Sequence, residues 1–384
     1  MESIIWFLLL LFNFEPPYFK ELADVNKIYM LGRFGVVYLF LILLIMKWRS
    51  YRPGKFALSI LGLVGCFFFS TLYNGSYSLR AFCLNEITTL VFVFFIDYMF
   101  SADMKKAISV LTLHYEILVY GNMITVFLFP EGLYNLGSGR NYWLLGQVNQ
   151  IILYVLPAMI LELLYSRYVR KKRYPGIRVY LLAASGIVTA VVVWSATAIV
   201  GMAVFLGMLL LGCTAGIYVD MKYGILVSVI IFIAFVIFRV QDMFAYVIVN
   251  ILHRNLTFST RTEVWDKALD CIWQKIILGY GAETPEQAIN HFGYLTPHNR
   301  YLYMLYQGGA VMLGAFAAVL LKGASALKRA EGTRAAVYVG AGMIALLIMM
   351  QFESYNATVF YVPLALLIYS EDFAEEGRGD CLKA

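Results

Sequence analysis

The segment Pro297–Leu302 places a histidine, an asparagine and an arginine where the longest hydrophilic interval of an apolar chain runs into an apolar helix. An imidazole with an ordinary pKa of about 6.5 is largely neutral at pH 7, so His298 can accept a proton. The guanidinium of Arg300 has a planar fork of donors that matches phosphate oxygens. The pattern predicts a general base beside an anion-binding group. The alternatives are a polar turn residue for His298 and a side chain reaching lipid headgroups for Arg300.

A second arginine is predicted at the start of a helix. Thr260 and Glu263 are spaced as a capping box, in which each side chain satisfies a free backbone amide. Arg261 then lies at a helix N-terminus, where unpaired amides and the helix dipole favour anions. A general base contributes roughly 10² to 10⁴ in rate, and Asp266 and Glu283 compete with His298 for that role, whereas Glu263 is expected to be engaged in the cap.

The elements that position these residues are membrane helices. The chain has 384 residues, of which 61% are hydrophobic and 14% charged, and its mean hydropathy is +0.74. Soluble domains carry about 25% charged residues, so the composition predicts an all-α polytopic membrane protein. We count about 12 apolar runs, within a range of 11–13, that suit spans. The first run is too short to cross easily, and it has neither the basic region nor the cleavage site of a signal peptide.

Basic residues predict the orientation. Alternate loops on one side hold 19 of the 30 Lys and Arg residues, and the positive-inside rule makes that side cytoplasmic. Both termini are then cytoplasmic, and the interval 240–300 is extracytoplasmic. We expect residues 1–384 to form a single bundle. The net charge of +6 follows from this asymmetry, and no basic patch predicts nucleic-acid binding. The five cysteines show neither metal-ligand spacing nor a disulfide pattern.

The long interval 240–300 is predicted to fold as a helical lid. Apolar residues recur at helical spacing after Thr260, and two of them, Trp265 and Trp273, suggest a helix lying among lipid headgroups. Packing on top of the bundle is the equal alternative. A second short helix is predicted from Thr284 as its cap to Gly293 as its end.

These residues resemble a known family, the O-antigen polymerases and ligases, bacterial enzymes of lipopolysaccharide and capsule assembly. The resemblance covers about residues 136–315. It rests on the order of short motifs in this chain: Gly139-Arg140, Gln147-Val148-Asn149-Gln150, Arg261-Thr262-Glu263-Val264-Trp265, Leu278-Gly279-Tyr280-Gly281 and His298-Asn299-Arg300-Tyr301-Leu302.

The resemblance implies a polytopic, GT-C-type glycosyltransferase of the bacterial inner membrane that needs no metal and no cofactor. Members move a glycan from undecaprenyl pyrophosphate to an acceptor hydroxyl on the outer leaflet. By this resemblance His298 is the base, and Arg140 and Arg261 hold the pyrophosphate. The family often has Ser-Arg-Gly where this chain reads Trp194-Ser195-Ala196-Thr197-Ala198, so Arg254 or Arg300 is expected to compensate. The supporting residues are Asn149, Glu263, Asn299 and Tyr280.

Several functions are compatible with this resemblance. We favour a polymerase of lipid-linked repeat units, because the chain departs from the ligase pattern; a ligase that transfers the glycan to another acceptor is the alternative. Expected partners are the bilayer, the undecaprenyl-pyrophosphate-linked oligosaccharide, a flippase and a chain-length regulator. A transporter or flippase for the same lipid is a further hypothesis, but such proteins more often show internal repeats, and none is evident here.

Overall fold

The fold was obtained as a computed structural model, which describes residues 2–46, 51–75, 79–136, 141–240, 243, 246, 249–250, 261–355 and 358–376. These residues are almost entirely helical, which confirms the predicted all-α polytopic membrane class. Within the described residues, seven helices are long and apolar enough to cross a membrane and five more are apolar but shorter, among them the first.

The first part of the chain forms six helices within the described residues, followed by a small hairpin. The helices are α1 (Glu2–Leu11), α2 (Pro17–Glu21), α3 (Ala23–Met46), α4 (Lys55–Asn74), α5 (Leu79–Ala102) and α6 (Met104–Leu128). The hairpin pairs β1 (Tyr142–Trp143) with β2 (Gly146–Gln147) in antiparallel register.

The second part carries the remaining described helices. They are α7 (Val148–Leu164) with a π-helical end (Tyr165–Val169), α8 (Ile177–Val192), α9 (Ala196–Thr214), α10 (Met221–Phe232) with a π-helical end (Ile233–Ile237), α11 (Arg261–Gln274), α12 (Pro285–Phe292), α13 (Arg300–Arg329), α14 (Arg334–Met349), a 3-10 turn (Thr358–Phe360), α15 (Tyr361–Ile368) and α16 (Ser370–Glu376). We call the end of the bundle that carries α11 and α12 the lid end.

The long helix α13 organises the lid end. It packs against α4, α11 and α15, while α14 packs against α9 and α10. The helix is interrupted at Gly309, where φ is +62° and the backbone of the lid passes alongside. There the amide of Ala310 donates to the Ile276 carbonyl at 2.8 Å, and the amide of Tyr280 donates to the Tyr306 carbonyl at 2.8 Å. The break therefore lets lid backbone and helix backbone satisfy each other.

The lid helix α11 packs on the bundle rather than presenting both tryptophans to one surface. Trp265 is fully buried with Leu302 and Tyr306 of α13, whereas Trp273 is 71% exposed. Two residues eight positions apart on a helix are rotated by about 80° from each other, so one tryptophan faces the bundle and the other faces away. The α11 helix therefore packs on the bundle through its Trp265 side, as the packing alternative expects.

The second lid helix has the predicted boundaries. Thr284 and Gln287 form a reciprocal capping box, Pro285 takes the first helical position, and Gly293 follows the helix with φ +78°. These features are local, which is why the sequence predicts them well. Thr260, the predicted cap of α11, lies outside the described residues, and its capping role stays a prediction.

Candidate active site at the lid end

His298 has an unusual backbone conformation. Its φ is +49°, in the left-handed region that costs a non-glycine residue about 1–3 kcal/mol unless its surroundings enforce it. Two anchors do so. The indole of Trp265 donates to the Pro297 carbonyl at 2.9 Å, and the amide side chain of Asn299 donates to the Gln351 carbonyl at 2.8 Å. Such enforced outliers cluster at functional sites, and the half-buried His298 ring here also contacts Tyr294, with centroids 5.9 Å apart.

Asn299 begins helix α13. Its side-chain oxygen accepts from the amides of Tyr301 and Leu302, each at 3.0 Å, and the residue is fully buried. This is an N-cap, which satisfies amides that no helical carbonyl can reach. The predicted supporting role of Asn299 is therefore structural: it holds the chain at the position where His298 meets the helix.

The turn that follows α14 connects His298 to Arg261. Its Gln351 carbonyl accepts from Asn299, and its Phe352 carbonyl accepts from the Arg261 guanidinium. Arg261 also forms an ion pair with Glu353, with Nη2 and Oε1 2.5 Å apart. The base and the arginine predicted from separate motifs are thus held by one short turn.

Glu353 is the centre of a polar network of four residues: Asn149, Ser195, Arg261 and Glu353. Asn149 donates to Glu353 Oε1 at 2.6 Å, and the Ser195 hydroxyl donates to Asn149 Oδ1 at 2.9 Å. Ser195 also caps α9 by accepting from the Ala198 amide at 3.2 Å. We call this the Glu353 network; it joins the lid-end starts of α7, α9 and α11.

Glu353 was not among the residues predicted from the sequence. It follows the apolar helix α14 and precedes the apolar α15. Its position as a lone carboxylate between two apolar runs is the sequence feature that could have identified it as a site residue. Such a group is costly unless it is paired, and Arg261 pairs it. Ser195 stands in the stretch where the family often has an arginine, and here it supports Asn149 instead.

Arg261 has more hydrogen-bond donors than its contacts in the network use. The Arg261 and Glu353 side chains are 17% and 12% exposed, so their attraction is only weakly screened by water. A guanidinium has five N–H donors, and the contacts to Phe352 and Glu353 use two of them. Burial raises the pKa of Tyr355 well above its usual range, so this neighbouring hydroxyl is neutral.

Arg239 is a further arginine at the lid end. Its guanidinium donates to the Thr262 carbonyl at 3.1 Å, pairs with Asp266 and lies 5.4 Å from the centre of the Trp265 ring. Arg239 therefore secures the first turns of α11. Asp266, one of the competing candidates for the base, is engaged in this ion pair.

Tyr280 belongs to a second cluster, formed with Glu283, His291 and Tyr306. The Tyr306 hydroxyl bonds to both Glu283 and His291, and His291 Nδ1 lies 3.3 Å from Glu283 Oε1. The rings of Tyr280 and Tyr306 stack with centroids 4.8 Å apart. Burial, with the nearby Cys271 and Glu283, raises the pKa of Tyr280. This cluster fastens the lid to α13 and engages Glu283, the other competing carboxylate.

Residues 151–317 match a family described as O-antigen ligase. Over these residues the chain is similar to the O-antigen polymerases and ligases. The resemblance inferred from the motifs is thereby confirmed, and with it a link to O-antigen and glycan processing by glycosyltransferase-like enzymes. No curated protein matches the chain.

The matched residues 151–317 include Ser195, Arg261 and His298, whereas Asn149 and Glu353 lie outside the match. Glu263, another predicted supporting residue, is exposed on α11. Arg140 and Arg254 lie outside the described residues, so their pyrophosphate contacts stay predictions. Among the residues that the structure describes, no three His, Cys, Asp or Glu side chains group closely enough to hold a metal ion.

Arg300, the last of the predicted arginines, is buried at the start of α13. It is 6% exposed, its amide donates to the Met350 carbonyl at 2.9 Å, and its guanidinium lies 5.9 Å from the centre of the Phe360 ring. The side chain lines an internal cavity with Glu86 of α5. The reading of Arg300 as a headgroup contact is therefore wrong, because the start of α13 is covered by α5 and the residues after the α14 turn.

Proposed function

We propose that this protein polymerises undecaprenyl-pyrophosphate-linked oligosaccharide repeat units into O-antigen or capsular polysaccharide. The observation that carries the proposal is the single turn at residues 350–353, which holds both the His298 loop and the Arg261–Glu353 ion pair. A proton acceptor and a phosphate-binding group at one end of an apolar bundle suit a substrate whose lipid lies in the membrane and whose glycan lies in water.

In the proposed step, His298 accepts the proton of an acceptor sugar hydroxyl. The hydroxyl oxygen attacks the anomeric carbon of the donor sugar, and the bond from that carbon to the pyrophosphate oxygen breaks. Undecaprenyl pyrophosphate leaves with the electron pair. Arg261, with Arg140 and Arg254, stabilises the charge on the leaving group, because preorganised donors are most effective where charge develops. No metal ion or cofactor is required for this chemistry.

The proposed location is the outer face of the bacterial inner membrane. The distribution of basic residues supports it, because the lid end has few of them and positive loops stay cytoplasmic. Both termini are then cytoplasmic, and the lid formed by residues 240–300 covers the site from outside within one bundle of residues 1–384. A flippase would deliver the substrate, and a chain-length regulator would act on the product.

A ligase is the second candidate, because the matched family carries that description. The two activities share the donor and differ in the acceptor, which is another lipid-linked repeat unit for a polymerase and a lipid or other carrier for a ligase. A transporter would move the same lipid without forming a glycosidic bond.

The test is chain growth by the purified protein in detergent, supplied with lipid-linked repeat units from the strain that encodes it. We expect products of several repeat units from the wild type and none from His298→Ala or Arg261→Ala. The matched controls are His291→Asn, in the second cluster, and Arg329→Ala, an exposed side chain at the opposite end of α13.

Three results would overturn the proposal. Full chain growth by folded His298→Ala would show that His298 is not the base. Transfer to a lipid A core acceptor without growth on repeat units would favour the ligase. Transport into vesicles without any glycosidic bond formation would favour the flippase.

A further inference from the structure

A polar cavity of about 150 Å³ lies beside the start of α13. It is lined by residues of α4, α5, α13 and the segment after the α14 turn, and its polar lining includes Glu86, Thr89, Arg300 and Gln307. A cavity needs only about 10–15 Å³ by this measure to hold one water molecule, so this one has room for a small ligand. The proposed transfer chemistry at His298 does not use it.

The lining combines donors and acceptors with aromatic rings. Arg300 donates, the Glu86 carboxylate accepts, and the amide of Gln307 does both. Phe360 and Tyr361 add aromatic surface. A sugar ring presents hydroxyl groups that donate and accept around its edge and C–H groups on its faces, so this lining is complementary to a saccharide.

The charges in the cavity distinguish a neutral sugar from a phosphate. Arg300 and Glu86 line the same cavity and carry opposite formal charges. A phosphate near Arg300 would meet the Glu86 carboxylate, and like charges repel strongly away from water. A neutral hydroxyl group can bond to both side chains without this penalty.

The cavity is close to the proposed base along the chain. An extended chain advances about 3.3–3.6 Å per residue, so the Cα atoms of His298 and Arg300 are at most about 7 Å apart. This separation is comparable to the size of a sugar ring. A saccharide bound in the cavity would therefore lie beside the chain segment that carries His298.

We propose that this cavity is a saccharide subsite that binds one uncharged sugar of the acceptor glycan. The inference rests on the proposed glycosyl transfer for the identity of the acceptor, but binding itself needs no transfer. Glu86 and Arg300 hold hydroxyl groups, and the aromatic side chains pack against the ring. The subsite would contribute to the choice of acceptor, since a sugar with a different hydroxyl arrangement loses these bonds.

Binding is tested with the full-length protein in detergent by saturation-transfer NMR, using glucose, galactose and N-acetylglucosamine as separate probes. We expect at least one sugar to bind to the wild type and to His298→Ala. A hydrogen bond to a charged group contributes about tenfold or more to binding and one between neutral groups contributes less. Glu86→Gln, which replaces the carboxylate by a neutral amide, should therefore raise the dissociation constant, and Thr89→Val, which removes a neutral hydroxyl, should raise it by a smaller factor. Glu286→Gln, on the exposed first turn of α12, is the matched control.

A kinetic arm separates this inference from the proposed function. In the chain-growth assay, Glu86→Gln should raise the KM for the acceptor and leave donor binding unchanged. If the wild type forms polymer and folded Glu86→Gln and Thr89→Val match it in both assays, the subsite is refuted while the polymerase stands. If the wild type binds sugars through Glu86 but forms no glycosidic bond, the polymerase is refuted while the subsite stands. Displacement of every sugar by inorganic phosphate would assign the cavity to an anion and overturn the inference.

Discussion

Asn149 and Arg261 donate hydrogen bonds to the same oxygen, Oε1 of Glu353, at 2.6 and 2.5 Å. The three residues come from α7, α11 and the turn after α14, so one carboxylate oxygen joins the lid to the bundle. Ser195 extends the contact to α9 through Asn149. The network therefore positions the Arg261 guanidinium at the start of α11.

Removing the Glu353 carboxylate should destabilise the protein and impair transfer. Glu353→Ala leaves a largely buried guanidinium without its ion-pair partner, and such losses cost about 3–5 kcal/mol. Thermal unfolding in detergent measures the effect, with the exposed Glu286→Ala as the control. Glu353→Gln keeps the shape and should lie between wild type and alanine; an unfolding temperature for Glu353→Ala equal to that of the wild type would contradict the ion-pair role.

Loss of the α13 cap should affect transfer more than stability alone explains. Asn299→Ala removes the N-cap, at about 1 kcal/mol, and also the bond to the Gln351 carbonyl beside His298. Thr333→Ala removes a similar cap from α14, where Thr333 accepts from the Ala336 amide at 3.2 Å. Both variants should unfold at slightly lower temperature, but only Asn299→Ala should lower the rate of chain growth. Equal rates of chain growth in the two variants would show that the Asn299 cap does not position His298.

The indole N–H of Trp265 should matter through the loop that it anchors. Trp265→Phe keeps an aromatic ring in the core but loses the bond to the Pro297 carbonyl, worth about 1 kcal/mol. The released loop no longer enforces the φ of His298, so we expect a fall in kcat at nearly constant folding yield. Trp273→Phe is the matched control because that ring is 71% exposed. A kcat for Trp265→Phe as high as that of Trp273→Phe would argue against the anchor.

The break in α13 should tolerate no side chain at Gly309. A Cβ atom there would lie 2.1 Å from the Ile277 carbonyl oxygen, and φ is +62°. Gly309→Ala must therefore displace the lid backbone, and we expect poor folding or a lid open to protease. Among the described residues nothing lies within 4 Å of a Cβ at Gly314, so Gly314→Ala should be neutral or stabilise by about 0.5–1 kcal/mol. Limited proteolysis of the two variants side by side checks this, and equal protection of both lids would refute the close approach.

Much of the molecule is readable from the sequence because it depends on local or compositional properties. Apolar runs fix where helices lie in a membrane protein, and caps such as Thr284 and Gly293 act within one turn of the chain. The resemblance to the family could be seen in the motifs around Arg261 and His298 because each motif is a short contiguous stretch of sequence.

Tertiary structure alone decided which of these residues meet. The Glu353 network joins side chains far apart in the chain, and no periodic pattern records a contact between Asn149 and Glu353. Burial was equally hidden: Arg300 lines a cavity, although its position at the start of a span suggested a contact with lipid headgroups. The physical reason is that burial and hydrogen-bond partners depend on which helices pack together, and that choice is made by the whole bundle rather than by any segment of it.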